Sequence, residues 1–450
     1  MEEKDQILEE LNDLLEQKKY KILAAQLQEL NEFDIAAYLD ELTPEQVLVL
    51  FRMLPKDLSA DVFSEMGIDN QTRIVESISA AELNDIVENL AMDDAVDMIE
   101  ELPANLVKKV LQSATADTRK IINQYLKYPD NSAGSIMTAE YIALKKWMSV
   151  PQALKYIREH AVDSETIYTC YVTNYQRELE GVVTLKDLVI SDPDKGLEEL
   201  MDDNVISAYT MEDQEMVAQT FNKYDLLALP VVDLENRVVG IITVDDMVDV
   251  MEQEATEDIE KMAALSPSEK PYLSTSVFTL AKNRIFWLLF LMISSMLTGH
   301  LLTKYEDAFA VVPLLVTFIP MMTGTGGNAG SQSATLVIRG MTVGDIKTGD
   351  FLKVWWKEIR VAFLCGVVLA GVNFIRLSLQ YPGKTMIILT VVLSMFGTII
   401  IAKSIGCLLP IVAKLIHVDP AIMASPLIST IVDCLSLLLY FQVACVLIGL

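Results

Sequence analysis

Residues 425–450 read SPLISTIVDCLSLLLYFQVACVLIGL. About 20 consecutive apolar residues in helical form cross a bilayer core. This stretch meets that length with a single carboxylate, Asp433, near its middle. A charge at that depth costs at least about 2.5 kcal/mol, so it normally faces an opposite charge, an ion or a water-filled cavity. Reading the stretch as a membrane helix sets the class of the C-terminal part, and Asp433 is the side chain the rest must account for.

Working backward, the hydrophobic pattern predicts five spans, over 284–303, 310–336, 354–379, 385–409 and 423–449, with Asp433 the one acid deep in any of them. Residues 272–280 are amphipathic enough to lie at the interface. Cations gather at Lys282 and Arg284, along 339–360 (Arg339, Lys347, Lys353, Lys357, Arg360) and at Lys403 and Lys414, against Lys304, Arg376 and Lys384 on the other side. The excess of Lys and Arg on cytoplasmic loops then places the N-terminal part in the cytoplasm and the C-terminus outside. The second span is expected to be irregular, because Pro313, Pro320, Gly324, Gly326, Gly327 and Gly330 fall within it. Its glycines suit close helix packing. Asn328 and Gln332, polar and four apart, suit a pore or gate, with Pro320, Gly326 and Gly327 beside them.

The remainder has the opposite character. Residues 271–450 carry 7 acidic and 12 basic side chains, whereas residues 1–270 carry 56 and 23. The net charge is therefore −33 in front and +5 behind, within a total of −28. Phosphate binding needs a basic face, so nucleic acid is excluded as a partner of the front part. The N-terminus lacks the basic-then-apolar pattern of a signal peptide. Of five cysteines only Cys170 lies outside the apolar segments, in keeping with a reducing compartment. The three histidines, His160, His300 and His417, are dispersed, and no nucleophile–base pair is visible, which argues against an enzyme.

Residues 1–130 read as an all-helical, acidic superhelical domain. Apolar residues recur at three and four, and 42–66 is echoed by 78–103 with capping signals at Thr43 and Ser79. Asp93 and Asp97 share a helix face, as a solvated surface or as cation ligands. Two α/β units follow, over 131–200 and 201–253. They match at Gly181-Val-Val-Thr184-Leu-Lys-Asp187 and Gly240-Ile-Ile-Thr243-Val-Asp-Asp246. A strand ending in Gly-x-x-Thr and a helix opened by Thr-x-x-Asp, occurring twice, resemble a CBS-domain pair. Many such pairs bind adenine nucleotides, which implies two readings for Asp187: a ribose contact for ATP, or a cap on the following helix. Asp213, Glu215, Asp225, Asp246 and Asp249 make the second unit acidic, and a helix over 245–265 sets Glu254, Glu257 and Asp258 on one face. Two like charges about 6 Å apart repel by roughly 3 kcal/mol at an effective dielectric near 20. Divalent cations would turn that repulsion into adhesion.

Taken together, Tyr-Pro-x-x-Ser-Ala-Gly (128–134), Glu-Ala-Thr-Glu-Asp (254–258), Gly-Gly-Asn-Ala-Gly-Ser-Gln (326–332) and Asp419-Pro420…Asp433 resemble the MgtE family of magnesium channels over nearly the whole chain. The resemblance implies a homodimer in the lipid bilayer with the pore on its twofold axis. It implies Asp433 as the selectivity carboxylate, assisted by a backbone carbonyl near Ser429. The 245–265 helix would be a plug, and Mg²⁺-sensing positions would fall at Asp93, Asp97, Asp213, Glu215, Asp225, Asp246, Asp249, Glu254, Glu257, Asp258 and Asp419. Mg²⁺ would close the pore it passes through. About two turns before Asp433, where many members carry Asn or Gly, this chain has Ser425. The competing class is a nucleotide-regulated secondary transporter of Co²⁺, Mn²⁺ or Ni²⁺, which would need a second acidic site in the membrane part.

Overall fold

The computed structural model describes residues 2–268, 272–273, 275–306, 311–423 and 425–449. The side chain of Ser425 and the first residue of the expected second span, Ala310, lie outside the described part. The chain divides into two units, residues 1–250 and 251–450.

The first unit opens with helices α1 (Glu2–Glu16), α2 (Tyr20–Leu27), α3 (Glu32–Asp40), α4 (Pro44–Phe51), α5 (Lys56–Ser64), α6 (Ile68–Ser77), α7 (Ala80–Asn89), α8 (Met92–Glu101), α9 (Ala104–Ser113) and α10 (Ala116–Tyr125). Helices two apart in sequence pack on each other, α3 on α5 on α7 on α9 and α4 on α6 on α8 on α10. This is the stacked superhelix the repeat predicts. Each helix is too short to be stable alone and buries an apolar stripe in a shared core that runs from Leu11 to Ile122. Thr43 with Gln46 and Ser79 with Glu82 form the expected capping boxes.

Two three-stranded sheets follow. In the first, β1 (Tyr141–Lys145) pairs parallel with β2 (Thr166–Thr173), which pairs antiparallel with β3 (Leu179–Thr184). Helices α11 (Val150–His160), α12 (Leu185–Ile190) and α13 (Leu197–Leu200) belong to this unit. In the second, β4 (Ala208–Tyr209), β5 (Ala228–Val232) and β6 (Val238–Thr243) repeat the arrangement around α14 (Gln214–Tyr224). The units exchange their leading segments: Thr138 bridges to Ile241 of the second sheet, and Asp202 to Val182 of the first. A Cβ at Gly240 would lie 2.7 Å from the Thr138 carbonyl, and one at Gly181 would lie 3.1 Å from that of Asp202. The two matched glycines thus admit the exchanged backbone. Val96 and Tyr125 of the helical domain enter the core of the second α/β unit, which seats α8 against it.

Helix α15 (Val244–Met262) carries the chain into the second unit. It stops before the expected break at the prolines, because Ala264 takes a left-handed φ of 55° and the Leu265 amide turns back onto the Glu260 carbonyl. The second unit then comprises α16 (Val277–Lys304), α17 (Ile319–Thr342), α18 (Phe351–Gln380), α19 (Thr385–Leu415) and α20 (Ser425–Ile448). Among the described residues four stretches are long and apolar enough to cross a membrane: Val277–Lys304, Thr348–Gln380, Thr385–Leu415 and Pro420–Ile448. The polar run from Thr323 to Thr335 keeps α17 below that apolarity.

The expected break in α17 is absent. The helix runs unbroken through its glycines, and the irregularity is confined to a 3₁₀ turn, Pro313–Phe318, before it. Pro320 falls in the first turn, where a proline forfeits no helical hydrogen bond. The glycines serve packing. A Cβ at Gly406 of α19 would lie 2.2 Å from the Gly330 carbonyl, so these two helices meet backbone to backbone.

Two further sequence expectations are corrected. Asp433 is not the only acid within the helices, since Glu358 of α18 lies there too, with a side chain 12% exposed. Lys403, counted with the cytoplasmic-side cations, is a buried side chain within α19, 3.6 Å from Glu358. Ser333 of α17 donates to Glu358 at 2.6 Å and accepts from Lys403 at 3.1 Å, tying three helices. Removing one member of a buried pair strands the other's charge, whereas removing both can be nearly neutral. Glu358→Gln and Lys403→Met should therefore each destabilise the detergent-solubilised protein by about 3 kcal/mol. The double variant should recover more than half of that loss. Thermal unfolding of the three variants checks this, and additive losses would refute it.

Candidate cation sites

The predicted acidic positions fall into separate groups. In the first unit, α8 presents Asp93, Asp94 and Asp97 toward Asp246 at the start of α15. Glu65 after α5 and Glu165 before β2 join the same field, with Asp245 and Asp249. Burial, and then neighbouring carboxylates, push Asp93 up to about 8 and Asp94 and Asp97 up to about 7. Asp246, Glu65 and Glu165 are raised for the same first reason. Asp93 Oδ1 is buried without a hydrogen-bond partner among the described residues. An orphaned, desolvated carboxylate oxygen among other carboxylates fits a divalent cation. No three acidic, histidine or cysteine side chains among the described residues close around one ion.

Asp246 also caps α15, accepting from the Thr243 hydroxyl at 2.6 Å. Asp187 does the same for α12: it accepts from the Thr184 hydroxyl, and its amide donates back to Thr184 Oγ1 at 3.1 Å. The capping reading of Asp187 is thus realised. Asp213 caps α14 by accepting from the Glu215 amide at 2.9 Å, and Asp225 ends that helix in the left-handed region. Those two lie at opposite ends of α14 and do not share a site.

In the second unit, Glu257 and Asp258 of α15 meet Asp419, with Glu254 one turn earlier on the helix. Lys261 lies 2.5 Å from Glu257 and 2.7 Å from Asp419. Asp258 accepts from Thr342 at 3.3 Å and is raised by burial and then by Asp419.

Asp433 is half-buried on α20, and no cationic side chain pairs with it among the described residues. Ser429 lies one turn before it, and its hydroxyl is 3.1 Å from where a Gly327 Cβ would sit. Gly326 faces Val432 and Ser436 in the same way. The two predicted glycines therefore set α17 directly on the Asp433 helix. Gly324, Asn328, Gln332, Thr335 and Arg339 form an exposed polar stripe along α17.

The sequence reading missed Asp94, Glu65, Glu165, Lys261 and the Glu358–Lys403–Ser333 node. Lys261 could have been found, because Glu257 and Lys261 are an i,i+4 pair.

Family models match residues 319–443 as a divalent cation transporter, 30–131 as an MgtE intracellular N domain and 197–253 as a CBS domain. The magnesium transporter MgtE of Thermus thermophilus is 35% identical over 449 residues, covering 99% of this chain and 98% of its own length. The chain belongs to the MgtE family. The Bacillus subtilis magnesium transporter MgtE is 33% identical over 424 residues, 91% of this chain and 93% of that protein. Two solved structures resemble the soluble part. One is the soluble part of a magnesium transporter, with a TM-score of 0.53 and 29% identity, covering 56% of this chain and 99% of that one. The other is the cytosolic domain of the Mg²⁺ channel MgtE in complex with ATP, with a TM-score of 0.51 and 35% identity, covering 53% and 98%. With its apolar helices, the chain is a multi-pass membrane protein of a transporter family with a soluble N-terminal part.

The raised carboxylates carry a pH signature. Their folded values, about 7 to 8, lie above the ordinary 3.8, so the neutral form is favoured by folding. Stability is then full below about pH 4 and is lost as pH rises toward about 8. In EDTA the melting temperature of the full-length protein should fall across that window, and Mg²⁺ should restore it at the upper end. Asp93→Asn should flatten the slope and reduce the gain from Mg²⁺. A melting temperature that rises with pH in EDTA would count against the assignment.

Proposed function

We propose that the chain is a homodimeric channel that carries Mg²⁺ into the cell and is closed by cytosolic Mg²⁺. The observation that carries this reading is Asp433, an acidic side chain on a membrane helix with no cationic partner among the described residues. A carboxylate kept at membrane depth without a protein cation takes its countercharge from a passing ion. The exposed polar stripe of α17, Asn328 and Gln332 included, is poorly suited to lipid and well suited to a second copy across a wet path. An inside-negative potential favours entry of a divalent ion by about 4.6 kcal/mol per 100 mV, so no chemical energy source is required. The relatives' naming as magnesium transporters supports Mg²⁺ as the cargo.

Closure follows from the acidic groups. Mg²⁺ bound among Asp93, Asp94, Asp97 and Asp246, with Asp249 in the same field, and Mg²⁺ bound separately at the two ends of α14, by Asp213 with Glu215 and by Asp225, removes the repulsion that loosens the soluble part. Mg²⁺ at Glu254, Glu257, Asp258 and Asp419 holds α15 as a plug. The soluble part then faces the cytoplasm and the C-terminus lies outside. The competing secondary transporter of Co²⁺, Mn²⁺ or Ni²⁺ would need another unpaired acid in the membrane helices. Glu358, the only other acid in α16–α20 among the described residues, is used by Lys403. ATP modulation has support in the ATP complex of a 35% identical cytosolic domain; on this reading Asp187 would be the ribose contact.

Asp433→Asn should lower Mg²⁺ influx into proteoliposomes about a hundredfold, on the scale of two charge-assisted contacts at about 1.4 kcal/mol each. Unchanged influx, read with a Mg²⁺ indicator, would remove Asp433 from the path. Influx that does not fall as internal Mg²⁺ rises would sink the closure. Asp187→Ala should cost about 1 kcal/mol of stability from the lost cap. It should also weaken ATP binding by roughly tenfold in calorimetry; equal ATP affinity would leave Asp187 with capping alone.

A further inference from the structure

Lys261 occupies a position that its neighbours make unusual. Its ammonium bridges Glu257, on its own helix, and Asp419, 158 residues away in the turn before α20. The other Asp419 oxygen, Oδ1, is already taken by the Ala421 amide at 2.8 Å, so the carboxylate is fixed by its own turn and aimed at the lysine. The next residue, Met262, packs against the cluster of Ala334, Ile338, Ala402, Ile428 and Val432 from α17, α19 and α20, with Ala421 from the 3₁₀ turn before α20. The end of α15 is thus seated by one apolar contact and one ammonium with two carboxylates. Opposite charges this close and partly shielded make charge-assisted bonds, the stronger class of hydrogen bond.

We propose that Lys261 is a positioning residue that acts as a built-in cation, docking the end of α15 on the membrane unit through Asp419 with no divalent ion present. Glu257, Asp258 and Asp419 against one ammonium leave a formal charge of −2, so one divalent ion completes the neutralisation without evicting the lysine. The docked end is then the fixed point of α15. The consequence for gating rests on the channel reading above; the docking does not.

Hydrogen exchange of the full-length protein in lipid nanodiscs separates the two. In EDTA, Lys261→Gln should speed exchange of the 251–262 amides about tenfold, equivalent to about 1.4 kcal/mol. Lys261→Arg should keep the original protection, and excess Mg²⁺ should restore it in the Gln variant. Unchanged protection in Lys261→Gln would overturn the proposal. The charge exchange Lys261→Glu with Asp419→Lys should return protection that Lys261→Glu alone loses, and failure to do so would overturn the direct pairing. Protection across α17–α20 serves as the folding control. If exchange rises in Lys261→Gln but Mg²⁺ influx at low internal Mg²⁺ does not, the docking stands and the gating reading fails.

Discussion

Carboxylates packed where water is scarce repel one another, and only protons or cations relieve that repulsion. The first unit is built around this constraint. Val96 and Tyr125 bury the apolar side of α8 and α10 against the second α/β unit. That packing carries Asp93, Asp94 and Asp97 into the field of Asp246. Apolar burial draws the surfaces together while the carboxylates push them apart. Two opposed terms make a contact whose strength depends on what neutralises the charge. A contact held by apolar burial alone would have no such dependence.

The same constraint is met differently in the second unit. At Asp419 the relieving cation is part of the chain, since Lys261 supplies it. An ammonium is compact and carries one charge, so it serves two carboxylates but leaves Asp258 repelled by Asp419. The two acidic groups therefore differ in kind. The group around Asp93 holds no lysine or arginine among its named neighbours, and the group around Asp419 holds one. A cation entering the first meets the full repulsion, and one entering the second meets a part.

How much of this could be read in advance depends on whether the determinant is local. Helix periodicity, capping boxes and the doubled Gly-x-x-Thr are local, so the superhelix, the paired α/β units and the membrane helices were legible. Asp93 and Asp97 were legible as a helix face. Glu65 and Glu165 were not, because each reaches the cluster from a distant turn that no short pattern marks. Glycines misled at α17: composition spoke for a broken helix, but tight contact at Gly326, Gly327 and Gly330 favours an intact one. A helix tolerates glycine when the gain from close packing exceeds roughly 1 kcal/mol of lost propensity at each position. Lys403 was counted with the cytoplasmic-side cations because hydropathy alone cannot tell a helix-end lysine from one paired within.

That pairing bears on Asp433. The membrane helices contain one acid with an internal partner and one without. Glu358 has Lys403 and Ser333, and all of its countercharge is fixed in place. Such a group holds helices together but cannot exchange ions, because an entering cation would have to displace an ammonium bound through a buried bond. Asp433 has no such competitor among the described residues and stands beside the helix whose polar stripe is left exposed. A divalent ion that pairs with Asp433 loses nothing to a resident cation and regains part of the solvation it sheds. Binding firm enough to enter and loose enough to leave is what conduction demands. In the channel reading proposed above, it is the half-buried, unpaired Asp433 and not Glu358 that would supply it.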